Sequence, residues 1–217
     1  MSSNFFTLYA GQIEVFIQGK TRFDFRQALE RLEKTLPGYF LMQGIDVIYV
    51  GEFEDLRERE LNAAYADGAI YVLPEQSSEQ DFLDDIVHEV AHSLEERFTD
   101  FIYGDGKIQQ EYEEKYLKLI ALMKKQAQIA IPEKFLKTVP FEYDPEWDKF
   151  LYQTVGYDIL HILTPGLFAS PYGATSLREY WANVFEHFYL TSASAAARIS
   201  PEAFEKIKEL NDRAETT

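Results

Sequence analysis

Residues 88 to 92 read HEVAH. His88 and His92 stand four positions apart, and on an α-helix that spacing puts both imidazoles on one face, one turn apart. Two ring nitrogens so placed can close on a single divalent ion. Glu89 is rotated from His88 by about 100° around the helix, so its carboxylate can reach a metal-held water without being a ligand itself. This is the HExxH arrangement, in which two histidines hold zinc and the glutamate is the general base of a hydrolysis. The plain alternative is a pair of histidines on a solvated helix face, with Glu89 as one more acid in an acidic chain.

The spacing carries meaning only on a helix, and the flanking residues predict one. Ser77 or Ser78 can cap a helix start, with Gln80 or Asp81 at the matching third position. Acidic residues at 79, 81, 84 and 85 suit the positive end of the helix dipole. Phe82, Leu83, Ile86, Val87, Val90 and Leu94 recur at helical spacing and supply an apolar face.

The elements that must position this helix follow from the same kind of pattern. Ile13, Val15 and Ile17 alternate within 5–18, which predicts one or two strands. Residues 24–35 predict a helix stopped by Pro37-Gly38. The β-branched and aromatic run at 45–50 predicts a buried strand, and 54–61 a short charged helix. In 64–74, Asp67-Gly68 is a turn signal followed by a strand. Beyond the motif, helices are expected at about 107–130, 145–163, 176–190 and 201–212, separated by Pro132, Pro140, Pro145 and Pro165-Gly166. The expected fold class is α+β in a single domain over 1–217. Its mixed α/β lobe, 1–98, ends in the HEVAH helix, and 99–217 form a helical lobe.

Composition narrows the partners. With 217 residues, 46% of them hydrophobic and including 17 Phe and 14 Tyr, the chain can bury a sizeable core. A net charge of −16 argues against nucleic acid or an anionic membrane, since both select basic surface. The absence of cysteine excludes a disulfide framework and a thiolate zinc site. Any zinc must be held by histidine and carboxylate. The first twenty residues have no basic segment followed by a continuous apolar one, so no signal peptide is expected. No run approaches the ~20 apolar residues of a membrane span. The expected location is the cytoplasm.

A catalytic zinc usually takes three protein ligands and leaves one place for water. The HExxHxxGxxH extension is ruled out, because its glycine position is Glu95 and its last histidine position is Phe98. The best downstream candidate is Glu179 in TSLREYWANVFEHFYL, with Asn183 one turn on, able to orient a histidine through its side-chain oxygen. Ser176-x-x-Glu179 is equally a capping box, in which Glu179 would serve the helix start. Glu186, His187, His161 and Asp100 are further candidates, with His161 in YDILHIL reading more naturally as a core histidine.

These residues carry a resemblance. The AIYVLP strand followed by the HExxH helix resembles the zincin fold. The downstream segment ASPYGATSLREYWANVFEHFY is similar to the glutamate-ligand helix of gluzincins. It is especially similar to the anthrax-lethal-factor-like metallopeptidase branch, whose pattern is roughly E-[YF]-[FW]-A-x-x-F. Here that pattern is Glu179, Tyr180, Trp181, Ala182, Asn183, Val184 and Phe185. The resemblance touches roughly residues 64–98 and 168–189. It implies a zincin-like fold, Zn2+ held by His88, His92 and Glu179, and a metallopeptidase acting on a protein or peptide substrate. It also implies that Tyr172 assists the oxyanion. Asn183 stands where such enzymes often carry an acid. The expected chemistry is peptide hydrolysis with Glu89 as general base, and the strand at 69–73 pairing with an extended substrate. The rival is a zincin-scaffold binding protein, weak or inactive in catalysis, that docks a protein partner.

Overall fold

The computed structural model describes residues 5–19 and 23–215. The chain divides into two compact units, one ending at Thr99 and resumed from Leu210, the other Asp100–Glu209.

The first unit is built on a five-stranded mixed sheet. Its elements are β1 (Phe5–Ala10), β2 (Ile13–Gln18), α1 (Phe25–Thr35), α2 (Gly38–Leu41), β3 (Val47–Val50), α3 (Glu54–Glu58), β4 (Ala63–Ala66), β5 (Ala69–Val72) and α4 (Glu79–Arg97). The strand order is β1-β2-β3-β5-β4. The three central strands run parallel, and each outer strand is an antiparallel hairpin partner. The alternation of Ile13, Val15 and Ile17 is realised, as all three are buried and the residues between them are exposed. With Ile48, Val50, Ile70 and Val72 they form one apolar face. Phe25, Leu29 and Leu32 of α1 and Phe82, Leu83, Ile86 and Val87 of α4 are buried with it. The rings of Phe25 and Phe82 meet edge to face at 4.8 Å.

Two readings change here. Asp67 and Gly68 both take left-handed backbone angles (φ 49° and 79°), which makes them the two central residues of a hairpin turn. A strand therefore precedes the turn as well as following it. That strand, AAYA, is short and mostly alanine, and carries almost no β-propensity of its own. The second change concerns substrate pairing at 69–73. Residues Ala69–Val72 are bonded to β3 on one side and β4 on the other, so no edge of β5 is left for an added strand. On that side the edge strand is β4.

The second unit is helical. Its elements are α5 (Thr99–Tyr103), α6 (Lys107–Lys125), α7 (Glu133–Lys137), α8 (Pro145–Lys149), α9 (Tyr157–Leu163), α10 (Leu177–His187), α11 (Ala193–Ile199) and α12 (Pro201–Glu215), which continues into the first unit. The single helix expected at 145–163 is interrupted. After α8 the chain widens into a π-helical turn, Phe150–Val155, and Gly156 adopts φ 86° before α9 begins. A positive φ ends an α-helix, and glycine is the residue that reaches it without steric cost. Tyr112, Tyr116, Trp147 and Tyr180 are almost fully buried, with ring centroids 5.3 Å apart for Tyr116–Trp147 and 5.5 Å for Tyr112–Tyr180. No helix among the described residues is long and apolar enough to cross a membrane.

Candidate metal centre

HEVAH lies in the second half of α4. Ser78 caps this helix, its Oγ accepting the Asp81 N–H at 3.1 Å, and Glu79 and Asp81 occupy the first turn. With the helix formed, the rings of His88 and His92 stand 5.0 Å apart. His92 is buried, and its Nδ1 lies 3.1 Å from Oε2 of Glu95, itself only 4% exposed. A carboxylate accepting from Nδ1–H fixes the tautomer and leaves Nε2 with its lone pair for a metal. Glu95 sits three positions after His92, hence on the same helix face. The i, i+3 spacing from His92 is the sequence signal that marks it.

Glu89 is also buried, and its Oε2 accepts the Tyr65 N–H of β4 at 2.6 Å. The ladder explains the direction of that N–H. Leu73 donates to the Asn62 carbonyl, so alternate residues of β4 bond to β5, and those between them, Tyr65 included, turn their amides to the free edge. Glu89 takes one such amide. The bond draws Oε2 into a fixed place and leaves Oε1 for other chemistry.

Glu179 lies in the first turn of α10. Ser176 caps that helix through its Oγ, which accepts the Glu179 N–H at 3.2 Å. The cap thus uses the backbone N–H of Glu179. His88, His92 and Glu179 each offer one ligand atom, and these atoms lie within 4.8 Å of one another. This His-His-Glu group could hold a metal ion. Among the described residues the group includes none of Glu186, His187, His161 and Asp100. His161, expected in the core, is exposed on α9.

Tyr172 lies in the 3-10 turn Pro171–Ala174, just before α10. Burial pushes its phenol well above the usual tyrosine range, and the negative charges of Glu179 and Asp148 push the same way. The phenol therefore stays protonated and is a donor at neutral pH. The turn is held by the Ala174 carbonyl, which accepts from Tyr112 Oη at 3.1 Å and Trp147 Nε1 at 3.0 Å. Asn183 is buried, and its side chain packs on Gly173, where an added Cβ would stand 3.4 Å from Asn183 Cβ. The Nδ1 of His92 is held by Glu95.

Comparison with protein-family models, with curated proteins and with solved structures finds no match for this chain.

Proposed function

We propose that this protein is a zinc-dependent metallopeptidase of zincin type, with His88, His92 and Glu179 as ligands. The observation that carries the reading is the pairing of a His-His-Glu donor set with a buried carboxylate on His92 Nδ1. A histidine on a solvated face needs no buried anion behind it. A zinc ion held there supplies Lewis-acid polarisation of a carbonyl and brings the pKa of water toward neutrality. Glu89 accepts the proton that water loses as it attacks the peptide carbonyl, then delivers it to the departing amine. Its hydrogen bond from Tyr65 holds the carboxylate in one orientation through both transfers. Tyr172, protonated at working pH, donates to the oxygen that gains negative charge.

The test is zinc per chain by elemental analysis, beside cleavage of a quenched fluorescent peptide library. Wild type should carry close to one zinc and lose it with Glu179→Ala. Glu89→Gln should keep the zinc and lose hydrolysis. A wild-type protein that takes up no zinc on reconstitution would remove the reading.

A further inference from the structure

We propose that the groove between α6 and α9 is a docking site for an acidic, amphipathic helical segment of a partner protein. This goes beyond the peptidase reading and does not depend on it. The groove has a volume of about 620 Å³. One wall is the α6 face made by Lys118, Ala121, Leu122 and Lys125. The other is the end of α9 and the loop after it, with Ile162, Leu163, Pro165 and Leu167. Ile162 is 77% exposed, an apolar side chain without cover.

Charge says what covers it. The chain carries 37 Asp and Glu in 217 residues. Its two longest stretches without an acid are 115–132 and 159–178, and these supply the two walls. At the chain's average frequency they would together hold about six acids. Among the described residues, Lys118 and Lys125 are the only charged ones that line the groove. Both are exposed, and neither has an ion-pair partner among the described residues. An apolar floor with a cationic rim on an otherwise strongly acidic protein selects an anionic, apolar partner.

Geometry says what form the partner takes. Lys118 and Lys125 are seven residues apart, which is two helical turns and about 10.5 Å along the axis. An incoming helix matches them with two carboxylates at i and i+7, and the apolar residues between face Leu122 and Ile162. The three lysines at this end of α6 fall short of the cluster of about four to eight that marks an anionic-lipid site. The far wall is preformed. Lys115 Nζ donates to the Leu167 carbonyl at 2.6 Å, and Thr164 Oγ1 to the Leu160 carbonyl at 2.7 Å.

The experiment is selection of a phage-displayed random peptide library on the whole protein, with the Lys118→Glu/Lys125→Glu protein as counter-selection. Recovered peptides should carry paired acids flanking apolar residues. Synthesised and labelled, they should bind the reversed-charge variant and Ile162→Ser at least about tenfold more weakly than wild type. All three positions altered are exposed, so circular dichroism should report an unchanged fold. The proposal is overturned if no peptide is recovered, or if peptides bind wild type and variants alike. It is equally overturned if vesicles of phosphatidylserine and phosphatidylcholine, and no peptide, are bound through these lysines. Sedimentation showing a dimer that Lys118→Glu dissociates would make the occupant a second copy of the chain and overturn it as well.

Discussion

Glu95 sets the chemistry of its neighbour through one hydrogen bond. Its buried carboxylate on His92 Nδ1 holds the neutral ring's proton on that nitrogen and raises the basicity of Nε2. Removing such a partner typically costs about 10- to 100-fold in metal affinity. Glu95→Ala should therefore weaken zinc binding by that factor, read by competition with a chromophoric chelator, while Glu89→Gln should leave affinity nearly unchanged. The two glutamates, both buried on α4, are then separated by experiment. Tyr172→Phe tests the donor role. It should lower kcat by about 100-fold, in line with the loss of a preorganised donor, with KM and zinc content little altered.

At the scale of elements, the turn Pro171–Ala174 and the hairpin β4–β5 do the positioning. The turn carries Tyr172 into α10 and hangs on the Ala174 carbonyl, which Tyr112 and Trp147 share as donors. Trp147→Phe removes one hydrogen bond and part of a fully buried ring. The expected loss is about 2–3 kcal/mol of stability, read by urea unfolding. The carbonyl keeps its bond from Tyr112, so the fold should survive. In the hairpin, Gly68 has φ 79° and an added Cβ would stand 2.8 Å from Asp46 Oδ2. Gly68→Ala should cost about 1–2 kcal/mol through the left-handed backbone alone. It should also disturb Glu89, whose oxygen is held by Tyr65 on the adjoining strand.

At the scale of the whole molecule, buried titratable groups set how stability follows pH. Lys115 donates to the Leu167 and Ile199 carbonyls, and burial lowers its pKa from 10.5 to about 8, with Lys118 adding to the fall and Glu111 opposing it. Between those two values the unfolded chain holds a proton that the folded chain has released, so this group's contribution to stability rises with pH. Burial drives Tyr112 and Tyr180 the other way, well above the ordinary phenol value of 10.0. Above that pH the unfolded chain loses protons that the folded chain keeps, and their contribution falls. The stability of wild type relative to Lys115→Met should therefore climb from about pH 8 to pH 10. Chemical denaturation across that range checks it, and a flat difference would mean that Lys115 titrates as an exposed lysine.

Local signals in the sequence already determine much of this. The Ser78 cap, the acidic first turn and the apolar spacing specify α4, and a helix once specified puts His88 and His92 one turn apart. The alternation in β2 and the α+β class follow from periodicity in the same way. Other features need partners distant in sequence. β4 exists because β5 pairs with it, since AAYA carries little preference of its own. The break at Gly156 reflects a backbone angle that no side-chain period announces. Glu179 reads from sequence as cap or ligand alike, and only the folded chain shows that the Ser176 cap bonds its backbone N–H. Helical and strand periods act over one or two turns of chain, whereas strand order and the meeting of three ligand atoms depend on packing between segments remote in sequence, and that is decided in three dimensions.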